Sequence, residues 1–214
     1  MAKTSFRIIM IKTLYSIYNQ VSQWIYIRWS HYATVFYFHI NNVIRGNFTS
    51  IGVPLLEIHQ DGKCEFGGGV VMVNNAKFAT LGKSNRCKFV VSSGAKLLIG
   101  NKVAMSNTTI VATLSVTLGD NILLGGGVTI VDTDFHSLNP AHWHTMADYD
   151  YMQKSPVVIK DNVFIGMNAV ILKGVTIGSN VIIGAGSVIS KDIPDNQVWA
   201  GNPARFIKNC IIRN

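Results

Sequence analysis

Isoleucine recurs every six residues late in the chain: Ile159, Ile165, Ile171, Ile177, Ile183 and Ile189. Two earlier runs keep the step. One is Leu118, Leu124 and Ile130; the other is Leu81, Cys87, Ser93, Ile99, Met105 and Val111, with one residue inserted between Val111 and Leu118. All fifteen markers except Ser93 are apolar, counting cysteine. Glycine follows the marker eight times, at Gly82, Gly94, Gly100, Gly119, Gly125, Gly166, Gly178 and Gly184. Four residues after the marker the side chain is small or β-branched, as at Val103, Thr109, Ser115, Val128, Val163, Ala169, Val175, Val181 and Ser187.

A helix repeats near 3.6 residues and a strand near two, so a step of six fits neither a lone amphipathic helix nor a meander. It fits a chain that turns a corner every six residues, three sides making a coil of about 18 residues. The marker then points inward and stacks on its copies ~4.8 Å above and below. Glycine supplies unusual backbone angles at the corners, and the small residue sits where the coil is tight. The expected fold is a parallel β-helix. A helix-covered parallel sheet is excluded because no helical pattern of 10–15 residues separates the strands.

Three segments leave the ruler. Residues 1–50 are aromatic and basic, with Lys3, Arg7, Lys12, Arg28 and Arg45 interspersed, and Lys12–Trp29 reads as a helix with Leu14, Ile17, Tyr18, Val21 and Ile25 on one face. Residues 51–80 keep a ragged ruler (Ile58, Cys64, Val70, Ala76) and read as the first coils. Residues 131–158 interrupt the ruler outright. We therefore divide the chain into an N-terminal segment (1–50), a β-helix (51–200) and a tail (201–214). Hydrophobic residues make up 48% of the 214 and charged ones 14%, which permits a large core and excludes disorder. The net charge of +8 favours anionic partners. Three cysteines without a CxxC indicate neither a disulfide framework nor a zinc ribbon, and point to a reducing cytoplasm. Lys12 breaks the apolar Ile8–Ile11 run, and the uncharged stretches Thr13–Ile27 and Trp29–Ile44 are short and polar for a bilayer span.

An excursion from a regular coil has no structural need, and ordered loops on rigid scaffolds tend to carry function. This one holds three of the chain's six histidines, His136, His142 and His144, with Asp132 and Asp134 nearby. A neutral imidazole suits a general base at neutral pH, and a carboxylate can fix its tautomer. His136 stands six residues past Ile130, at the root of the loop; His142 and His144 stand farther out. Asp132 and Asp134 are candidates to orient His136 or an acceptor, or to make local turn hydrogen bonds. His144 is a further acceptor candidate.

Four motifs occur in order: Asp134-Phe-His136; Pro156-Val-Val-Ile-Lys-Asp-Asn-Val-Phe-Ile-Gly166; Ala185-Gly-Ser-Val-Ile-Ser-Lys191-Asp-Ile-Pro194; and Ala200-Gly-Asn-Pro-Ala-Arg205. Across about 95–209 the chain resembles the hexapeptide-repeat acyltransferases, above all sugar O-acetyltransferases such as the galactoside and maltose enzymes and those acting on capsule and O-antigen. The resemblance implies a left-handed coil, against the usual crossover rule, and a homotrimer with acetyl-CoA in a groove between neighbouring β-helices. It implies that His136, with Asp134 beside it, deprotonates an acceptor hydroxyl that attacks the thioester directly. Met167, Ala185, Ser190 and Lys191 would line the pantetheine arm and nucleotide, and Arg205 and Lys208 would meet the phosphates. Asp132 and His144 would face the acceptor. Met167 stands where the family often has serine. The family's helical acceptor-binding segment has no counterpart in residues 1–50, which would instead cover the open end of the coil or touch an anionic inner membrane.

Other functions remain open on the same scaffold. Acetylation of an antibiotic is one. A γ-type carbonic anhydrase would need the three histidines as zinc ligands, but their spacing does not match that family's. A non-catalytic β-helix is the third. A serine acetyltransferase would carry a large helical domain that is missing here. No nucleic-acid partner and no metal are expected.

Overall fold

The computed structural model describes residues 2–79 and 86–210, with side chains from Ile9 onward. Leu81 and Gly82 of the sequence reading lie outside the described residues.

The architecture is the parallel β-helix that the repeat implies, left-handed as the resemblance implies. Strands follow one another around three faces. The first face holds Ile44–Arg45, Lys63–Phe66, Lys96–Ile99, Ser115–Leu118, Val157–Ile159 and Thr176–Ile177. The second holds Phe48–Ile51, Val70–Val73, Ala104–Ser106, Leu123–Leu124, Phe164–Ile165 and Ile182–Ile183, then Gln197–Gly201 and Ala204–Asn209. The third holds Leu55–Ile58, Lys88–Val91, Thr109–Ala112, Thr129–Val131, Val170–Ile171 and Val188–Ile189. Register explains the ruler. Leu118, Ile159 and Ile177 stack on the first face, Leu124, Ile165 and Ile183 on the second, and Ile130, Ile171 and Ile189 on the third. Successive markers lie on successive faces, and the third step closes the coil. All nine are buried.

The earlier coils have longer strands but keep the ruler on two faces, Ile99 stacking with Leu118 and Met105 with Leu124; the third face slips. Their four-residue strands point two side chains inward, as Phe89 and Val91 or Leu97 and Ile99 do. The third-face column therefore runs Phe89, Ile110, Ile130. Ile110, not Val111, stands over Ile130, and Ser93 is an exposed corner residue. Thr109 and Ser115 consequently face outward, half-buried.

Most ruler glycines serve close approach rather than backbone angle. A Cβ on Gly166 would stand 2.5 Å from the Ala185 nitrogen in the next coil. Among the described ruler glycines only Gly94 has a positive φ. The left-handed corner positions between the first and second faces belong instead to Asn121, Asn162, Asn180 and Asn196, at φ 56–63°. Asparagine tolerates that region because its short amide bonds locally. Here the Asn121 amide donates to Asn162 Oδ1 at 2.7 Å and Asn180 to Asn196 at 2.9 Å.

The N-terminal helix, α1, runs Ala2–Ile40, longer at both ends than the sequence pattern indicated. Its last turns close the coil. Ser30, Thr34 and Phe38, four residues apart on one side, are fully buried, and Phe38 meets the rings of Phe48 and Phe66 at 5.2 and 5.1 Å. The face read from sequence (Leu14, Ile17, Tyr18, Val21, Ile25) is more than half exposed throughout, with Tyr18 lining a hollow beside Asn75, Lys77 and Phe78. At the other end, Gln197–Gly201 and Ala204–Asn209 pair antiparallel, so the residues read as a tail finish the second face. Among the described residues no helix is long and apolar enough to cross a membrane.

Candidate active site

The excursion leaves the third face after Val131 and rejoins the first at Val157. Its stem is fastened at both sides: Thr133 and Lys154 form an antiparallel bridge, Asp134 N donates to Gln153 O at 3.1 Å, and Ser155 N donates to Asp132 O at 2.9 Å. Asp132 is buried below the stem. Its carboxylate accepts the backbone N–H groups of Thr113, Leu114 and Ser115 at 2.7–3.0 Å and the Thr113 hydroxyl at 2.8 Å. That carboxylate holds a corner together, all its hydrogen bonds running to Thr113, Leu114 and Ser115. Asp134 also turns aside, pairing with Lys173 Nζ at 3.4 Å.

Phe135 adopts φ +64°, a costly conformation for a bulky residue, and swings the chain outward so that His136 leaves the coil wall. Asn139 and Pro140 then start a 3-10 turn, Pro140–His142, with Asn139 Oδ1 accepting from Ala141 N at 3.1 Å. A second short helix, α2 (Met146–Asp150), follows and carries Asp148 back to the root. Here the orienting carboxylate appears. His136 Nδ1 lies 2.7 Å from Asp148 Oδ2, and Asp148 Oδ1 accepts the Ser137 N–H at 2.7 Å. An ionised carboxylate only accepts, so Nδ1 carries the proton and the Nε2 lone pair is free. The hydrogen bond from His136, followed by that from Ser137 N–H, holds the Asp148 carboxyl below its ordinary range. The aspartate is almost enclosed (11% exposed) while the imidazole is 71% exposed. A fixed imidazole thus presents one nitrogen to solvent.

His136, Trp143, His144 and Asp148 line a cavity of about 290 Å³. Trp143 is locked by its indole N–H, which donates to Ser137 O at 2.8 Å. His144 is set by a left-handed backbone, φ +63°. His142 turns inward instead: Asn139 Nδ2 donates to its Nε2 at 3.2 Å, so Nδ1–H donates to Ser137 Oγ at 2.8 Å, and the ring lies 4.6 Å from that of Tyr151. The three histidines do not converge, and among the described residues no group of three His, Cys, Asp or Glu side chains is placed to hold a metal ion. Burial pushes the Cys64 and Cys87 thiols up to about 12, so neither supplies a thiolate.

The remaining site residues lie elsewhere on the prism. Met167 and Ala185 stack one coil apart at the corner between the second and third faces, joined by Gly186 N donating to Met167 O at 2.8 Å. Ser190 and Lys191 lie at the corner between the third and first faces, two coils beyond the excursion. Arg205 and Lys208 are exposed on the final strand. One chain therefore unites His136 and His144, and leaves the full width of the third face between them and Met167 and Ala185. Sequence reasoning missed Asp148 and the structural part of Trp143. The only signal for Asp148 was an acid within the same excursion, and Asp150 offered another.

Residues 106–131 match the family model described as the hexapeptide repeat of succinyl-transferase, and residues 156–191 match the bacterial transferase hexapeptide (six repeats). The coils are hexapeptide repeats. The excursion falls between the two matches. Galactoside O-acetyltransferase from Escherichia coli (strain K12) is 43% identical over 134 residues, 61% of this chain and 64% of that protein. A crystal structure of galactoside acetyltransferase with coenzyme A matches at TM-score 0.50 and 38% identity, over 57% of this chain and 58% of that one. The chain spans less than two thirds of either relative. AntD, an N-acyltransferase from Bacillus cereus in complex with dTDP and coenzyme A, matches at TM-score 0.59 over 79% of this chain and 84% of its own; at 18% identity this likeness shows the fold alone. Together they show a hexapeptide-repeat chain that resembles the acyltransferases of sugars.

Proposed function

We propose that this protein is an acetyl-CoA-dependent O-acetyltransferase acting on a sugar hydroxyl, in the making of a surface polysaccharide, in the cytoplasm. One observation carries the reading. An imidazole is tied by Nδ1 to Asp148 and opens Nε2 on a cavity walled by Trp143, on a coil that resembles sugar O-acetyltransferases. Nε2 takes the acceptor's hydroxyl proton as the oxygen bonds to the thioester carbonyl carbon. The tetrahedral intermediate collapses with loss of the C–S bond, and the imidazolium returns its proton to the departing thiolate. Asp148 keeps the ring in the productive tautomer and stabilises the imidazolium. The exposed ring of Trp143 gives a flat apolar surface for a sugar's C–H face, and His144 a polar group beside it.

Acetyl-CoA enters as co-substrate. Met167 and Ala185 supply a narrow, stacked edge for the pantetheine arm; Ser190 and Lys191, with Arg205 and Lys208, supply hydroxyl and cationic partners for the nucleotide and phosphates. Met167 and Ala185 lie on a different edge from His136, while Ser190 and Lys191 lie on its own edge two coils on, so the reading places each site between two copies of a homotrimer, one giving the excursion and the other the edge that bears Met167 and Ala185.

The test is thiol release from acetyl-CoA with a panel of nucleotide sugars, oligosaccharides and hydroxylated antibiotics. A sugar acceptor should be turned over, and His136→Ala should slow it by about 10²–10⁴-fold with CoA affinity near that of the wild type. A tenfold loss or less removes His136 from the base role, and turnover of the antibiotics alone overturns the acceptor class.

A further inference from the structure

The longest exposed apolar surface lies far from the candidate site. Along α1, Ile11, Leu14, Tyr18, Val21, Ile25 and Trp29 recur at three- and four-residue steps, each more than half exposed, and Tyr32 and Phe36 continue the line. From Ile11 to Phe36 this stripe is ~38 Å long. Its orientation follows from helix geometry. Eighteen residues make five turns, so Lys12, Ser16 and Gln20 lie directly in line with Ser30, Thr34 and Phe38, the residues that face the coil. The polar side of the front half and the coil-facing side of the back half are one face. The apolar stripe is the opposite one, turned away from the β-helix except at Tyr18, which lines a hollow with Asn75, Lys77 and Phe78.

We infer that this face of α1 lies in the plane of an anionic membrane surface, with the coil standing on the water side. Charge selects the occupant. The first acidic residue of the chain is Glu57, whereas five lysines and arginines precede it. Packing the stripe on a second copy would bring Arg28, at the edge of the stripe, against its copy, and α1 offers no acidic residue to pair it. Anionic headgroups supply that charge. Composition agrees: Trp24 and Trp29, with Tyr15, Tyr18 and Tyr32, place apolar rings bearing polar edges along the helix, the residues that favour the bilayer interface. The inference is independent of the acetyl transfer proposed above.

The test is co-sedimentation of the full chain with vesicles. Binding to vesicles of phosphatidylcholine mixed with phosphatidylglycerol should exceed binding to phosphatidylcholine alone by about tenfold or more, and should weaken as salt rises. The triple variant Leu14→Glu, Val21→Glu, Ile25→Glu should stay in the supernatant while its thermal unfolding midpoint and thiol-release activity hold. Should that variant fail to fold, Arg28→Glu serves, with binding to the anionic vesicles weakened by about fivefold or more. The inference is overturned if the wild-type chain ignores anionic vesicles, if folded variants bind as it does, or if the triple variant changes only the oligomeric state.

Discussion

His136 and Asp148 are twelve positions apart, and what joins them is a 2.7 Å hydrogen bond from Nδ1 to a carboxylate whose other oxygen holds the Ser137 amide. Asp148 is thus a positioning residue, and its effect passes through the ring. Asp148→Asn should lower turnover by about 10²-fold or more and leave the KM for acetyl-CoA alone. In a His136→Ala background the same substitution should change nothing further; additive losses would give Asp148 a separate role. The pair also couples to acid stability. The folded carboxyl sits below its ordinary value of 3.8, so its contribution is present above that value and fades as pH falls through the lower folded value. Asp148→Asn should therefore lower the unfolding midpoint near neutral pH and leave it unchanged in strong acid. By contrast Asp132, on the same loop, supports the Thr113–Ser115 corner, because it comes one residue after the strand ends and its side chain still points beneath the coil.

Each element of the coil is two to four residues long, too short to be stable alone, and gains its stability from the copies above and below. Inward markers therefore carry the packing energy. Ile171→Ala should destabilise the protein by about 2–5 kcal/mol in denaturant unfolding. Ser93, which the ruler placed in the core and the structure places on a corner, makes the comparison sharp: Ser93→Ala should stay within about 0.5 kcal/mol. A large loss at Ser93 would restore the simple six-residue register to the early coils. That register holds from Leu118 onward and for Ile99 and Met105 beneath it, and it slips on the third face, where Ile110 and not Val111 pairs with Ile130. Before Leu118, four-residue strands bury alternate side chains, and a period of two overlays the period of six. α1 differs again: its apolar residues at helical spacing were legible, but nothing in them named the packing side, and contact with the coil uses the side bearing Ser30, Thr34 and Phe38.

On the scale of the molecule, the placement of Met167 and Ala185 an edge away from His136 makes the assembly testable. Subunits carrying His136→Ala mixed with subunits carrying Ala185→Trp should regain activity if sites form between copies, about a quarter of interfaces being intact in a randomly mixed ring. Two inactive variants that stay inactive when co-assembled would place the whole site in one chain.

The sequence by itself determined the coil, because a side chain that must point inward once per side leaves a mark at every sixth position. It also determined where the coil is interrupted and that an imidazole stands at the break. Only the tertiary structure decided which carboxylate serves that imidazole, since a loop of 25 residues carries no period from which contacts can be counted. It likewise decided which face of the long helix is covered, because helical spacing gives the faces of a helix and not their neighbours.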